Sequence, residues 1–521
     1  ANPRKGPPEY GMLALGTGER RWAEQFRESL LEEVAERRYT GPAHSVKSVQ
    51  FEAALRAYYY PRVRDRFPGL FSEEEIARIR EWFAAINRRA LTVEWVDLMY
   101  ALAFSKWPEG PYENQENGAG LLALLEAEGL ADPERSAANR EYLARNRRGW
   151  RERFRVTDDA IVYQPEWIIN AYFQSLYTGE FPQENARRSL EWLLLQALPD
   201  GAPLRYNHPG QGSLAGIAYL GATLFRDPRY IWLAGRAVEA LERSNGYLFA
   251  MPGVEAAVLL EGHPPTEGSC LLYGDSGLPN QRGPLAPDKI VFRDGWEKDA
   301  AYLLVNLRFT GWHRYKATGT VTLIYWDGAL VADVLDGKPF AWLPVGRSLF
   351  RDKRVPRENL NGLVVEKAGM AAVLYHLTGI GGPWAQDPPY YAEVVAFETG
   401  PDKDWAHIRL TGWRGWQHDR WIYFYHNGGP IVVVDEARGP AGMRAGLTWH
   451  LVGGEKVAPD HFRLRGGDAP VEVHLIPLSG SGQVEVRERE GGELGVDVVY
   501  WGVPELRVTA LFLHSEWADV E

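Results

Sequence analysis

The sequence predicts an α+β protein of more than one domain, with a helical first half and a second half of antiparallel β-strands. Three observations support this prediction. Apolar residues recur at helical spacing from about residue 18 to about residue 245. Glycine and proline then become dense, as in a connector. Strand-favouring runs separated by turn sequences continue from there to the end of the chain.

The length of the chain supports the division. A chain of 521 residues exceeds one ordinary hydrophobic core, so two or more domains are expected. We place a helical domain at residues 1–250, a connector at 251–290 and an antiparallel β-sandwich at 291–521. Apolar residues make up 45% and charged residues 24% of the chain, which are the proportions of a packed globular protein and exclude extensive disorder.

Composition also excludes several kinds of partner. The formal net charge is −11 and no basic run stands out, so nucleic acid is not expected to bind. Cys270 is the only cysteine, which excludes internal disulfides and zinc clusters built on several cysteines. No apolar stretch reaches about 18 residues, so no membrane-spanning helix is expected. Aromatic residues make up 12% of the chain and suit sugar rings as well as protein cores.

Individual helices are marked by apolar stripes and by end signals. Ser72 followed by Glu75 is a capping-box pattern ahead of an apolar stripe at residues 76–86. A second stripe at 190–197 is followed by Pro199-Asp200-Gly201, and a third at 231–241 ends near Asn245-Gly246. The short loops between such segments predict helices packed as hairpins.

Turn sequences predict two hairpins in the second half. Residues 321–325 and 329–334 flank Trp326-Asp327-Gly328, and residues 421–425 and 431–435 flank His426-Asn427-Gly428-Gly429. Further strand-like runs lie at 471–476, 483–487, 496–501 and 506–513, which favours a sandwich. Tyr423, Tyr425 and Trp449-His450 alternate along these strands, which predicts that they pack inside the sheets.

Two segments of the second half carry motifs of a known family. One runs from Phe292-Arg293-Asp294-Gly295-Trp296 through Gly311-Trp312-His313 to Leu330-Val331-Ala332-Asp333. The other is Gln417-His418-Asp419-Arg420, ahead of the apolar run at 431–435. Both resemble the heparinase II/III-like polysaccharide lyases and their alginate-lyase relatives. The resemblance implies an N-terminal incomplete α/α toroid followed by a C-terminal antiparallel β-sandwich, with the active site in the cleft between them.

The resemblance also implies catalytic residues. His313 takes the position of a catalytic histidine, and Tyr172 takes that of a catalytic tyrosine. The segment 111–117 resembles a polar loop before a helix, where Asn114 or Asn117 would hold the substrate carboxylate. Each has a simpler interpretation. Tyr172 lies among apolar residues and suits a core, His313 suits a surface, and either asparagine could cap a helix that starts at Gly118.

Further positions of the resemblance concern the cleft wall and a metal. The residues that would contact substrate are Gln115, Tyr206, His208 and Arg420. Many members bind a structural metal, and Asp333, His418 and Tyr315 occupy the matching positions. Because phenolate is a rare ligand where the family has histidine, these three are expected to be vestiges of a metal site, and no cofactor is expected to be required.

The implied reaction is β-elimination on a uronic-acid polymer. Such a polymer has an acidic proton at C5, next to the carboxylate, and a leaving oxygen at C4. Amides can stabilise the enolate-like charge as it develops. A tyrosine hydroxyl can act as base or acid where nearby cations lower its pKa from about 10, and a histidine can transfer the second proton. The expected partner is therefore an acidic polysaccharide or oligosaccharide.

Two other functions stay open from the sequence. A glycoside hydrolase needs two carboxylates at one glycosidic bond, and the candidates are Asp158, Asp159, Glu166, Glu113 and Glu116. A non-catalytic carbohydrate-binding or surface protein would fit the residues Tyr315 and Ala317, which depart from the family pattern. The substrate class leads us to expect a secreted, periplasmic or cell-surface protein whose signal peptide has been removed.

Overall fold

The computed structural model of the protein describes most of the chain. The described residues are 6–40, 46–90, 113–152, 154, 164–202, 204, 214–243, 250–253, 261–274, 286–308, 317–334, 357–366, 388–389, 391–466, 469–479, 483–489 and 495–514.

Ten α-helices lie among the described residues of the first half, which confirms the predicted helical character. They are α1 (Pro7–Thr17), α2 (Arg20–Ala35), α3 (Val46–Arg66), α4 (Glu73–Arg89), α5 (Glu113–Ala127), α6 (Ser136–Glu152), α7 (Gln164–Thr178), α8 (Gln183–Leu195), α9 (Leu214–Phe225) and α10 (Pro228–Arg243). Each odd-numbered helix packs against the next odd-numbered one, from α1 to α9. The even-numbered helices flank this row, and most pack against the helix that precedes them.

Helix α4 shows how local sequence fixes a helix end. The hydroxyl of Ser72 accepts a hydrogen bond from the backbone N–H of Glu75 at 3.3 Å, and the carboxylate of Glu75 accepts one from the backbone N–H of Ser72 at 2.9 Å. This is the predicted capping box, and such a cap stabilises a helix by about 1 kcal/mol. Glu75 also pairs with Arg27 of α2, so the same carboxylate joins two helices.

Helices α5 and α7 approach each other closely at Gly120. A Cβ atom at this position would overlap the side-chain oxygen of Asn170, which is fully buried. Gly120 is therefore required by packing, because glycine alone lets the two helices come this near. This contact fixes the position of α7, and with it Tyr172, relative to α5.

The Gly120→Ala variant is expected to lower the free energy of unfolding by about 1–3 kcal/mol, because the two helices must separate to admit the methyl group. Gly235 in α10 is the matched control, since a Cβ there would meet no atom within 4 Å. Gly235→Ala is expected to raise stability by up to about 1 kcal/mol through helix propensity. Urea unfolding followed by circular dichroism measures both. Equal effects of the two substitutions would contradict the packing argument.

In the second half, the strands of the described residues form two antiparallel sheets, which agrees with the prediction. The strands are β1 (Cys270–Gly274), β2 (Ala286–Arg293), β3 (Tyr302–Asn306), β4 (Thr320–Tyr325), β5 (Ala329–Ala332), β6 (Leu363–Val365), β7 (Glu393–Glu398), β8 (Lys403–Trp413), β9 (Trp416–Tyr425), β10 (Ile431–Arg438), β11 (Ala445–Val452), β12 (Gly454–Ala458), β13 (His461–Gly466), β14 (Ala469–Ser479), β15 (Val484–Arg489), β16 (Gly495–Gly502) and β17 (Glu505–His514). The nine-stranded sheet has the order β1-β2-β3-β4-β5-β11-β16-β15, with β6 paired to β11. The eight-stranded sheet has the order β12-β13-β14-β17-β10-β9-β8-β7.

The first strand lies inside the segment predicted as a connector. Strand β1 pairs with β2 and forms an edge of the nine-stranded sheet. The segment predicted as a connector, 251–290, therefore contains β1 and the first residues of β2. Five residues between glycine- and proline-rich stretches give too short a pattern to recognise, and β1 is stabilised by pairing with a strand that follows it in the chain.

The nine-stranded sheet is the middle of three layers. Val291, Tyr302 and Leu304 belong to the hydrophobic core of the helices. Their strand neighbours, such as Phe292 and Leu303, belong to the core shared with the eight-stranded sheet. Because side chains alternate along a strand, β2 and β3 supply both cores. The helix-facing side of the middle sheet is therefore the surface on which the two halves of the protein meet.

Both predicted hairpins are present. Strands β4 and β5 are joined by Trp326-Asp327-Gly328, where Asp327 and Gly328 have positive φ angles of 47° and 145°. Strands β9 and β10 are joined by the turn that begins at His426. One ring nitrogen of His426 lies 2.9 Å from the Asp404 carboxylate, and the other lies 3.2 Å from the carbonyl oxygen of Pro401. The histidine thus connects the β9–β10 turn to the start of β8.

The His426 pair predicts a pH dependence of stability. Burial alone would lower the pKa of His426, but the hydrogen bond and charge of Asp404 raise it overall. A raised pKa in the folded state means that the stabilisation is complete below the unfolded pKa of about 6.5 and is lost as pH rises through the folded value. The wild type should therefore exceed His426→Gln in unfolding free energy by more at about pH 6 than at about pH 9. A difference that grows with pH would contradict this assignment.

Candidate functional site

The junction between helices and sheet is built on the end of helix α8. The guanidinium of Arg293 on β2 donates to the carbonyl oxygens of Leu195 at 3.3 Å and Ala197 at 2.6 Å. The hydroxyl of Tyr302 on β3 donates to the carbonyl oxygen of Gln196 at 2.8 Å. The last carbonyls of a helix have no partner within the helix, so these side chains satisfy groups that the fold would otherwise bury unpaired.

Arg293 is buried deeply at this junction. Only 2% of the residue is exposed, and its guanidinium carbon lies 3.5 Å from the ring centre of Trp296. Burial lowers the pKa of Arg293 to about 10, so the side chain is still charged near neutral pH. A buried cation between helix and sheet fixes their relative position, because moving either layer would leave the charge without its carbonyl partners.

A second polar cluster lies farther along the same face of the middle sheet. The indole N–H of Trp192 on α8 donates to Asp288 at 3.1 Å. The ammonium of Lys289 donates to the side-chain oxygen of Asn306 and lies 5.4 Å from the ring centre of Trp192. Asn306 in turn donates to the hydroxyl of Thr322. Four of these residues, Asp288, Lys289, Asn306 and Thr322, are 3% exposed or less.

This cluster includes Asn306, which lies in the chain shortly before the segment that carries His313. Residues 309–316 lie outside the described residues, but both ends of the segment are described. The backbone N–H of Gly319 donates to the carbonyl oxygen of Asn306 at 2.8 Å and closes the two ends together. Sequence analysis did not single out Lys289 and Asn306. The sequence feature that could have indicated this cluster is the charged pair Asp288-Lys289. It stands directly before the apolar residues Ile290, Val291 and Phe292 of the same strand.

A third buried network joins the two sheets. The guanidinium of Arg420 on β9 donates to the carboxylate of Asp435 on β10 at 2.6 and 3.0 Å. It also donates to the carbonyl oxygens of Asn361 at 3.0 Å and Gly319 at 3.4 Å. The ring of His418 lies 2.8 Å from the same carboxylate. Arg420 is 1% exposed and lies between the sheets, not on a cleft wall where the resemblance placed it.

Electrostatics in this network follow from burial and pairing. Burial alone would raise the pKa of Asp435, but Arg420 and His418 hold it at about 2, so the group is a carboxylate near neutral pH. Burial is the main cause of a lowered pKa for His418, which keeps the ring neutral. The charges of Arg420 and Asp435 therefore offset each other inside the core. The hydrogen bond from Arg420 to Gly319 also connects this pair to the chain just after the segment that carries His313.

Tyr172 lies on α7 and is partly buried. Its ring centre is 6.2 Å from that of Tyr58 and 6.2 Å from that of Phe173. The side chain packs against the helical core without being enclosed by it. A partly buried tyrosine of this kind could transfer a proton to a bound molecule or could simply lie at the edge of the core.

The remaining predicted site residues divide into two groups. Helix α5 begins at Glu113, so Asn114, Gln115 and Asn117 belong to its first turns and not to a loop before Gly118. The description of these three residues covers the backbone only. Acidic residues stabilise the start of a helix, which agrees with a helix that begins at Glu113 and not at Gly118. The predictions for Tyr206, His208, His313 and Tyr315 fall outside the described residues.

Two positions of the implied metal site, Asp333 and His418, lie among the described residues. The carboxylate of Asp333 accepts a hydrogen bond from Asn361 at 3.2 Å, and His418 is engaged by Asp435. Throughout the described ranges, no group of three or more histidine, cysteine, aspartate or glutamate residues is arranged to hold a metal. In the same ranges, no helix is both long and apolar enough to cross a bilayer.

Comparison with solved structures identifies proteins of the same fold. One heparinase III structure is 12% identical with a TM-score of 0.60, and the match covers 98% of this chain and 78% of that one. Another heparinase III is 11% identical with a TM-score of 0.60, covering 99% and 78%. A mutant heparan sulfate lyase from Pedobacter heparinus is 12% identical with a TM-score of 0.57, covering 98% and 75%. No protein-family model and no curated protein matches the chain. The chain therefore has the fold of these lyases at a distant level of sequence similarity.

Proposed function

We propose that the protein is a polysaccharide lyase that cleaves a uronic-acid-containing polysaccharide by β-elimination. The observation that carries the proposal is the fold: 98% of the chain matches solved structures named as heparinase III and heparan sulfate lyase. Fold alone does not determine chemistry, so the proposal also depends on the site residues. The family motifs around His313 and the position of Tyr172 on α7 supply these residues.

The architecture supports a cleft between the two halves. The contacts between successive odd-numbered helices, with even-numbered helices flanking them, support the proposal of an incomplete α/α toroid. The middle sheet turns one face toward these helices, and Lys289 and Asn306 lie on that face. Asn306 precedes the 309–316 segment in the chain and is hydrogen-bonded to Gly319, which follows it. In the proposed cleft, His313 would act from the sheet side and Tyr172 from the helix side. Substrate would lie between them.

The mechanism assigns one task to each group. Asn114 or Asn117 would donate hydrogen bonds to the uronate carboxylate and stabilise the negative charge that develops when C5 loses its proton. Tyr172 would remove that proton or protonate the O4 leaving group, and His313 would serve the opposite transfer. The C5–H and C4–O bonds break and a C4–C5 double bond forms, so the product is an unsaturated uronate. No oxidant, reductant or metal enters this balance.

Ultraviolet absorbance tests the proposal directly, because only elimination creates a double bond conjugated to the carboxylate. The protein would be incubated with heparan sulfate, hyaluronan, alginate and glucuronan, with a parallel assay for new reducing ends. A rise in absorbance on one polymer would support the lyase. New reducing ends without absorbance would identify a glycoside hydrolase instead. Binding to a polymer without either signal would identify a carbohydrate-binding protein of the same fold.

A further inference from the structure

The outer face of the eight-stranded sheet carries a group of aromatic side chains that the proposed cleft does not use. Strands β8 and β9 alternate regularly, and residues such as Ala406, Ile408, Ile422 and Phe424 point into the core and are 2% exposed or less. The residues between them therefore point away from the core. Sequence analysis predicted Tyr423 and Tyr425 as packing residues. They are instead partly exposed on this outer face, whereas Trp449 is fully buried.

Four cross-strand pairs form what we call the outer aromatic patch. The pairs are Lys403–Tyr425, Trp405–Tyr423, His407–Trp421 and Arg409–Asp419. The rings of Trp405 and Tyr423 are nearly parallel, with centres 6.3 Å apart, and those of His407 and Trp421 are 4.5 Å apart. Successive pairs are separated by about 6.8 Å along the strands. The patch is therefore a strip about 20 Å long and two strands wide.

The polar groups of the patch are held in fixed positions by Asp419. Its carboxylate accepts hydrogen bonds from Arg409 at 2.6 Å and from Gln417 at 2.6 Å, and the ring nitrogen of His407 lies at 2.7 Å. Burial alone would raise the pKa of Asp419, but these three partners lower it, so the carboxylate stays charged. Arg409 and His407 are thereby oriented next to the rings without having to be ordered by a ligand.

Charges of both signs lie on and beside the patch. The four pairs contain two cations, Lys403 and Arg409, and one anion, Asp419, whose oxygens are occupied as described above, and Glu398 of β7 lies beside Trp405. Lys403 is exposed and has no ion-pair partner in the part of the chain that the structure describes. Its ammonium lies 5.4 Å from the ring centre of Tyr423 and 5.5 Å from that of Tyr425, over faces that a ligand could share.

We infer that the outer aromatic patch is a second binding surface for an acidic polysaccharide, separate from the proposed cleft. Aromatic rings pack against the apolar faces of sugar rings, and the cations can pair with carboxylate or sulfate groups. Glu398, which accepts a hydrogen bond from Trp405 at 3.0 Å, can also accept hydrogen bonds from sugar hydroxyls. The inference uses the proposed function for the class of polymer only. The patch lies on the side of the sandwich away from the helices, so one polymer chain bound here would be tethered while another segment is processed.

The dimensions of the patch favour a polymer over a second copy of the chain. A strip about 20 Å long and two strands wide offers roughly 200–300 Å². A stable protein–protein interface buries about 800 Å² on each partner. A narrow strip with ordered hydrogen-bonding groups along it suits an extended chain of sugar rings, whereas a protein partner would need contact well beyond it.

Affinity electrophoresis tests this inference independently of catalysis. The full chain would be run in gels containing heparan sulfate, hyaluronan or alginate, and in a gel containing dextran, which is uncharged. The test variants are Trp405→Ala combined with Tyr423→Ala, and Lys403→Glu, whose exposed side chain puts folding at little risk. Ile476→Ala is the matched control, because it removes a 38% exposed side chain from the same sheet outside the patch. Elimination of a tetrasaccharide, too short to occupy both sites, is measured alongside.

The expected result is retardation of the wild type by at least one acidic polymer, weakened about tenfold in apparent Kd by either patch variant and unchanged by Ile476→Ala. Tetrasaccharide elimination should be unaffected. Equal retardation of wild type and patch variants, or no retardation by any acidic polymer, would overturn the inference even if the protein proves to be a lyase. Loss of a dimer in the patch variants by sedimentation would overturn it in favour of self-association. Patch-dependent binding without elimination would keep the inference and reject the lyase.

Discussion

The Tyr172→Phe variant is expected to lose elimination activity by about 10²- to 10⁴-fold, the usual contribution of a positioned acid or base. The substitution removes one hydroxyl and keeps the ring that packs against Tyr58 and Phe173. Folding should therefore be unchanged, and the loss should appear in kcat more than in KM. The measurement is the initial rate of ultraviolet absorbance on the polymer that the wild type cleaves best. His313→Ala should cause a loss of similar size, because the second proton transfer would lack its group.

The control for Tyr172→Phe lies on the same helix. Tyr177 of α7 packs against a different, smaller hydrophobic cluster, which includes Tyr142 and Leu143. Tyr177→Phe should leave the rate within about twofold of the wild type while making the same chemical change. If Tyr172→Phe retains full activity, the reaction needs another acid or base and Tyr172 belongs to the core. If only His313→Ala retains activity, the sheet side of the cleft must supply another residue.

The Asp435→Asn variant is expected to lower the free energy of unfolding of the sandwich by about 3–5 kcal/mol. Arg420 is 1% exposed, and Asp435 is its charged partner at 2.6 and 3.0 Å. Removing one charge of a buried pair leaves the other without compensation in a medium that solvates it poorly. For a domain of this size, a loss of 3 kcal/mol corresponds to a fall of about 6–12 °C in Tm.

Thermal unfolding followed by calorimetry measures this effect, with an exposed ion pair as control. Arg188 and Glu184 on α8 form a pair at 2.6 Å, with 45% and 78% of their side chains exposed. Glu184→Gln should change stability by less than about 1 kcal/mol, because water screens and replaces such a contact. An unchanged Tm for Asp435→Asn would mean that Arg420 finds other partners in the folded protein. The network between the sheets would then not depend on this pair.

Local sequence determined the two halves of the protein and several of their details. The helical period of residues 76–86 and the Ser72–Glu75 capping box predict α4, because both depend only on residues a few positions apart. The hairpins at Trp326-Asp327-Gly328 and at His426 follow from turn residues that favour positive φ angles. The family motifs predicted the fold that the solved structures share with this chain.

Only the tertiary structure decided which faces are covered and which charges meet. Strand alternation shows that Tyr423 and Arg420 lie on opposite faces of β9, but not which face is turned toward another sheet. The structure buries Arg420 against Asp435 and leaves Tyr423 at the surface, the reverse of what their polarity alone suggests. The reason is physical: a buried charge is tolerated where a partner from another strand meets it, and such partners are distant in sequence. Strand β1 and the cluster of Lys289 with Asn306 depended on the same long-range pairing, which no local pattern records.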